Sequence, residues 1–481
     1  MAENRKRTKI VATLGPACGT KEIIERMIEA GVNVFRINFS HADYSDVEER
    51  VKIIRDINER RNFNVAVLAD LQGPKLRVGI MADDVELEEG DTFTFTTEKC
   101  EGTNEKAFMT YQNFPKDVQK GEHILVDDGK LLFEVIATDS QSNVTTKVLR
   151  GGPLKSKKGV NLPNTKISLP ALTEKDKKDV VFAIGLDVDW IALSFVRTPE
   201  DLMQLQDIIK KNTDHKIPII AKIEKPEAVA NIDRLTPHCD ALMVARGDLG
   251  VEVPMEKVPL IQKRLVLKAK KAHIPVIIAT QMMETMIDNQ VPTRAEVNDV
   301  ANSIMDGADA VMLSGETSVG AFPLEVIKQM RKIIESVENS PLILMPETYV
   351  QCINERFISK TICHQASLMA NSINAEVITT LTDSGFTAFH ISSWRPKANI
   401  LVFSSNRRIL AMLNLLWGVK GVFYDRFVST DQTIEDINNL AHEKGYLKEG
   451  DYAINITSMP VKQRGMANTM RITEYKEPEK V

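Results

Sequence analysis

Lys222 and Glu224 end the run "IPIIAKIE" (217–224), which carries enough β-branched apolar residues to form a buried strand. Side chains two apart on a strand share a face, so the ammonium and the carboxylate project together. The same spacing recurs at the end of "VNVFRINFS" (32–40), where Arg36, Asn38 and Ser40 share a face. It recurs again in "ALMVARGD" (241–248), where Arg246 and Asp248 are expected to do so. Asp70, Ser194, Thr280 and Glu316 close four further runs. Glu224 and Asp248, drawn from neighbouring strands, could hold a hard divalent cation such as Mg²⁺ through oxygen while leaving water positions for a substrate. Lys222 and Arg36 add positive charge beside it, which is what a phosphate or a developing enolate oxygen requires. Gly247 leaves room for backbone N–H groups to approach a carboxylate. A single K-x-E at a strand end is ordinarily a weak surface ion pair. Repetition at several strand ends is what points to chemistry. Taken alone, His41 reads as a cap or a surface residue, Arg77 as a surface charge at the entry to the next segment, and the "KSKKG" stretch (155–159) as a solvated loop.

Seven short runs supply these ends and an eighth, "KIVATLG", precedes them: "VNVFRINFS", "VAVLAD", "DWIALSFV", "IPIIAKIE", "ALMVARGD", "PVIIATQM" and "DAVMLSGE". Amphipathic stretches such as "KEIIERMIEAG" and "EDLMQLQDIIKKN" lie between most of them. Strand-then-helix repetition implies parallel strands with crossover helices. Eight of them predict a (β/α)8 barrel with its site at the C-terminal strand ends. A doubly wound open sheet is the alternative, disfavoured by the lack of a glycine-rich fingerprint after the first strand.

The rhythm breaks over residues 72–169, where "VELEEGDTFTFTTE", "GEHILVDDGKLLFEVIAT" and "NVTTKVLRGG" alternate apolar with polar residues and "DDGK" marks a hairpin. An all-β domain inserted after the third barrel strand is expected there, between barrel segments 1–71 and 170–342. Residues 343–481 start a new helix–strand series and predict a C-terminal α/β domain.

The 481 residues are 43% hydrophobic and 26% charged, with formal net charge −5. That composition fits a large globular core. The acidic balance argues against a nucleic-acid or membrane-surface binder. The five cysteines are scattered without a C-x-x-C pair, which favours free thiols in a reducing compartment. No run reaches the length of a membrane span and no signal-peptide pattern opens the chain, so a cytoplasmic location is expected.

The order and spacing of "TKIVATLGPA", "FRINFSH", "GVNLP", "AKIEKPEAV", "MVARGDLGVE", "ATQMMETM", "PTRAEVNDVANSIMDGADAVMLSGET" and "TDSGFTA" make the chain resemble the pyruvate kinase family across nearly its whole length. The resemblance implies phosphoryl transfer from phosphoenolpyruvate to ADP, giving pyruvate and ATP. It implies that Lys222 stabilises the moving phosphoryl group and the enolate, that Glu224 and Asp248 hold Mg²⁺ or Mn²⁺, and that Arg36 binds phosphate with Ser194 nearby. Gly247, Asp248 and Thr280 match substrate-holding positions, Thr280 on the face where the enolate is protonated. His41, Arg77 and Lys158 match nucleotide-binding positions. Thr382, Ser384 and Thr387 match an effector-phosphate loop, for a sugar phosphate or a nucleotide monophosphate; alone, that loop reads as a turn and helix cap. A homotetramer is likewise implied.

The chain departs from the family at "DLQGPKLR" (70–77), where the usual pattern is "DTKGPEIR". Members that need K⁺ hold it near positions matching Asn38, Ser40, Asp70 and Leu71. Here Leu71 lacks the usual hydroxyl, and the Lys75 ammonium stands in for the cation, so activity without K⁺ is expected. The bland reading of Lys75 is an exposed loop charge. Two rivals remain: a metal-dependent aldolase or lyase on a related barrel, and a catalytically dead sensor that keeps only the effector site.

Overall fold

The structure, a computed structural model, describes residues 6–40, 42–83, 85–340, 356–426, 429–459 and 466–477. Eight parallel strands close into a barrel: β1 (Lys9–Thr13), β2 (Val34–Asn38), β3 (Ala66–Asp70), β4 (Trp190–Leu193), β5 (Ile219–Ile223), β6 (Ala241–Ala245), β7 (Val276–Ala279) and β8 (Ala310–Leu313). Neighbours around the ring are consecutive in sequence, and β8 pairs back onto β1 from Lys9↔Ala310 to Ala12↔Leu313. Each run is apolar on both faces because helices cover one and the barrel interior fills the other. Ile10, Phe35, Ile191 and Val244 pack outward against the helical layer, while Val11, Val34, Trp190 and Met243 fill the interior. The covering helices start where the sequence offers caps. Thr173 and Thr293 each form a reciprocal capping box, with Asp176 and Glu296.

Between β3 and β4 lies a separate six-stranded sheet, with Thr92–Thr96, His123–Val126, Leu131–Thr138 and Asn143–Arg150 among its strands. The hairpin read from "DDGK" is present: Val126 pairs with Leu131, and Asp127, Asp128 and Gly129 all take positive φ. Phe93, Phe95, Phe114 and Phe133 form this domain's own core.

The C-terminal body has a five-stranded sheet ordered β11–β10–β9–β12–β13, where β9 is Val377–Leu381, β10 Asn399–Ser404, β11 Val419–Phe423, β12 Tyr452–Thr457 and β13 Thr469–Glu474. The first four are parallel and β13 is antiparallel to β12. The barrel interior and this body share one apolar cluster. Trp190, fully buried on the barrel floor, donates from Nε1 to the Met412 carbonyl at 3.0 Å. Arg395 reaches from the C-terminal body to Asp309 at 2.9 Å and to the Gly307 carbonyl, both beside β8. Cys18, Cys100, Cys239 and Cys363 are free thiols, and Cys352 lies outside the described residues.

Candidate active site at the C-terminal rim

The strand ends build the site in the order the barrel dictates. On β5, Lys222 and Glu224 do share a face: Nζ lies 2.9 Å from Glu224 Oε1. The ammonium also lies 3.2 Å from Asp70 Oδ1, at the end of β3, and donates to Ser194 Oγ at 2.7 Å, just past β4. Asp70 Oδ2 accepts from Arg36 Nε at 2.6 Å, and Arg36 NH1 reaches Thr13 Oγ1 at 3.1 Å. Four strands therefore converge on one acid–base lattice, and Thr13 joins it from a fifth. Lys222, Glu224, Asp70 and Ser194 are all buried.

Burial alone would lower the Lys222 pKa, but the Asp70 and Glu224 carboxylates outweigh it and hold the ammonium above the usual lysine value. Burial alone would raise Asp70, yet Lys222 and Arg36 keep it below the ordinary carboxylate range. For Glu224, burial and the neighbouring Asp248 charge prevail over Lys222, and its pKa is raised. Lys222 is thus a fixed positive charge at neutral pH, and Glu224 and Asp248 are close enough to repel. A hard divalent cation relieves such repulsion. No group of three or more His, Cys, Asp or Glu suited to a metal is found among the described residues. The protein would supply two carboxylates, Glu224 and Asp248, and leave the other positions to water and substrate, which fits Mg²⁺.

Two rim residues hold strained backbone. Phe195 has φ +56° and Thr280 φ +68°, both in the left-handed region. The Phe195 geometry aims its N–H at Glu224 Oε2, 2.9 Å away. Gly73, at φ +69°, must be glycine: a Cβ there would lie 2.6 Å from the Phe195 ring.

One expectation is corrected. β6 ends at Ala245, and Arg246–Glu252 forms a helix, so Arg246 and Asp248 are not a same-face strand pair. Arg246 braces the rim through Asp299 at 2.6 Å and the Thr280 carbonyl at 2.8 Å, while Asp248 faces the cleft. Gly247 donates its N–H to Thr280 Oγ1 at 2.7 Å. Glu316 is a buried brace that accepts from the N–H groups of Ser314 and Met283.

A cleft of about 290 Å³ separates the rim from the inserted domain. Its lining carries six lysines and arginines (Lys75, Arg77, Lys157, Lys158, Arg197, Lys225) against Asp127, Asp128 and Asp248, an excess that favours a polyanion. Arg77 donates to the Lys157 carbonyl at 3.0 Å, and Lys158 pairs with Asp127 at 2.8 Å. His41 lies outside the described residues. Sequence reasoning missed a bridge across this cleft: Glu252 Oε1 accepts from Lys225 Nζ at 2.6 Å and from Asn161 Nδ2 of the inserted domain at 2.8 Å. The only signal was a lysine next to Glu224.

The Asn38 side chain accepts from the Ser40 N–H at 3.1 Å, and Leu71 is buried with its carbonyl accepting from Ser194 Oγ at 2.7 Å. Lys75 is exposed on the cleft wall, and no hydrogen bond or ion pair joins it to Asn38, Ser40 or Asp70. In the C-terminal loop, Thr382 Oγ1 accepts from the Gly385 N–H and Thr387 Oγ1 pairs with Thr380 Oγ1, each at 2.8 Å, while Ser384 is exposed.

A closed parallel barrel with a buried acid–base lattice on its C-terminal rim, opposite a cationic cleft, defines a β/α-barrel enzyme for anionic substrates. Comparison with known proteins narrows the class. The family model "Pyruvate kinase, barrel domain" matches residues 5–327, and "Pyruvate kinase, alpha/beta domain" matches 360–473. A pyruvate kinase of Corynebacterium glutamicum is 40% identical over 97% of this chain and 97% of that protein. Pyruvate kinase 2 of Synechocystis is 42% identical over 93% of this chain and 76% of its own length. The crystal structure of a pyruvate kinase from Cryptosporidium parvum superimposes with a TM-score of 0.91 at 33% identity, covering 98% of each chain. The chain belongs to the pyruvate kinase family of phosphotransferases.

Proposed function

We propose that the rim transfers the phosphoryl group of phosphoenolpyruvate to ADP. The P–O bond to the enolpyruvyl oxygen breaks, a terminal ADP oxygen takes the phosphorus, and the enolate left behind gains a proton to become pyruvate. The observation that carries this reading is Lys222 Nζ, held between Asp70, Glu224 and Ser194 beside a cationic cleft. The fixed ammonium offsets charge as it builds on the bridging oxygen, and Arg36 holds the phosphate; the protein's work is positioning and charge neutralisation. Ser194, Gly247 and Asp248 line the substrate's place, and Thr280 lies on the protonation face. His41, Arg77 and Lys158 take the nucleotide. Mg²⁺ or Mn²⁺ on Glu224 and Asp248 would supply Lewis-acid charge to the phosphoryl oxygens. Residues 1–71 and 170–342 would form the catalytic unit, 72–169 the lid that excludes water, and 343–481 the regulatory unit.

Lys75 supplies the charge that K⁺ supplies in other members, so no monovalent ion is required around Asn38, Ser40, Asp70 and Leu71; the support is Leu71, whose side chain offers a cation no oxygen, while Lys75 itself stands exposed on the cleft wall apart from those residues. Thr382, Ser384 and Thr387 receive a phosphorylated effector, with Ser384 the exposed hydroxyl. No helix among the described residues is long and apolar enough to cross a membrane. A homotetramer in the cytoplasm completes the reading.

The test is pyruvate release from phosphoenolpyruvate in Mg²⁺, with and without ADP, and with K⁺ exchanged for a matched salt. ADP-dependent release is expected. Release without ADP would favour the aldolase or lyase rival, and no release the dead sensor.

A further inference from the structure

We infer that a second ligand site lies between the barrel's N-terminal face and the C-terminal body, shaped for a flat aromatic or heteroaromatic molecule of low net charge. The cavity there measures about 590 Å³, twice the catalytic cleft and within the range of small-molecule pockets. On the barrel side its wall is Ile217 and Pro218, just ahead of β5, and Ile274, just ahead of β7. On the other side are Phe386 and Phe389, from the helix Phe386–Ser393. Both phenylalanines are only partly buried, so aromatic area is left for a ligand to cover. The Arg356 guanidinium lies 4.5 Å above the Phe386 ring, a second flat group at the same wall.

Charge separates this cavity from the catalytic cleft. Its rim carries cations and acids in pairs: Arg408 Nε lies 2.6 Å from Asp187, and Lys216 is bonded to Asp240. Basic groups neutralised in this way give a polyphosphate little to bind. What the cavity offers instead is a specific polar edge. His215 lines it, with Nδ1 engaging Thr213 Oγ1 at 2.6 Å and Nε2 facing Asp187 Oδ1 at 3.4 Å. The exposed Ser384 hydroxyl lies on the same lining, where the proposed phosphate loop and this cavity meet.

Position makes the site regulatory. Residues 216–218 line the cavity and lead directly into β5, which delivers Lys222 and Glu224 at its other end, ~17 Å away for five extended residues. Met412, also on the lining, accepts from Trp190 on β4, the strand that ends beside Ser194. A molecule wedged between Phe389 and Ile217 therefore bears on the bases of two strands whose tips form the lattice. The kinetic part of this inference rests on the proposed reaction; the binding part does not.

The experiment is calorimetric titration of the full chain with indole and, separately, with adenosine, alongside the KM for phosphoenolpyruvate at saturating probe. Two variants accompany it: Ile274→Phe, which fills the cavity, and Phe389→Leu, which removes a ring. At least one probe is expected to bind with Kd below about 1 mM, weakened about tenfold or more in both variants. It should shift KM by about twofold or more in the wild type and in neither variant. Failure of both probes to bind, or unchanged binding in the two variants, would overturn the site. Binding without a KM shift, in an enzyme that turns over normally without probe, would overturn the regulatory role. Inorganic phosphate binding that is lost in Ile274→Phe would overturn the ligand class. Loss of turnover without probe would instead count against the proposed reaction.

Discussion

Asn161 of the inserted domain donates to Glu252 Oε1 of the barrel across 2.8 Å, onto the same oxygen that Lys225 Nζ reaches at 2.6 Å. Lys225 directly follows Glu224, so the contact ties the cleft's outer wall to the strand end that carries the lattice. A hydrogen bond to a charged group contributes about 1.5–3 kcal/mol.

Asn161→Ala is therefore expected to raise the KM for ADP by about fivefold or more, with the KM for phosphoenolpyruvate changed by less than about twofold. Steady-state kinetics with each substrate varied in turn checks this. Equal changes in both constants would mean that the contact does not place the nucleotide.

The Arg395–Asp309 pair is buried on both sides, and the same carboxylate accepts from the Val276 N–H at 2.9 Å. Burial leaves the Asp309 pKa raised even with Arg395 beside it. Arg395→Met would strand that carboxylate, at a cost of about 3–5 kcal/mol. Adding Asp309→Asn should recover part of the loss. Urea unfolding of the three proteins measures both steps.

Burial, with His273 and Lys360 nearby, pushes His390 down to about 3. Its folded pKa lies below its unfolded value of about 6.5, so the unfolded chain takes up the proton first as pH falls. The histidine's contribution is complete above about pH 6.5 and is lost as pH falls from there toward 3, at about 1.4 kcal/mol per pH unit. His390→Phe should flatten the stability curve between pH 6.5 and 5 relative to wild type, leaving the region above pH 7 parallel. Denaturant midpoints across that range give the comparison.

Lys75 is exposed and faces the cleft. Lys75→Met is expected to lower turnover in K⁺-free buffer by about tenfold, equivalent to about 1.4 kcal/mol. Wild-type turnover should change by less than about twofold when K⁺ replaces a matched salt. Coupled assays in the two buffers decide it, and strong activation of the wild type by K⁺ would remove the role given to Lys75.

The barrel was legible because each strand is a short apolar run and its polar end falls at a fixed period. Lys222 and Glu224 followed from strand alternation alone. Arg246 and Asp248 did not, because a helix beginning at Arg246 cuts the alternation short, and "ARGD" gives no sign of that in one sequence. Strand β13, "TMRITE", went unread because it is an exposed edge with no apolar run. β11, "VKGVF", was hidden by its central glycine. The Asn161–Glu252 bridge joins residues 91 apart, and local pattern carries no signal for such a pairing. The cavity under the barrel was invisible for the same reason: its two walls come from different domains.

The most direct test of the account is ADP-dependent turnover of Lys222→Met, measured beside Mn²⁺ binding to the same protein. The account predicts turnover lower by about 10³-fold or more, with Mn²⁺ still bound because Glu224 and Asp248 remain. Turnover within about tenfold of wild type, in a variant that binds Mn²⁺ normally, would contradict it.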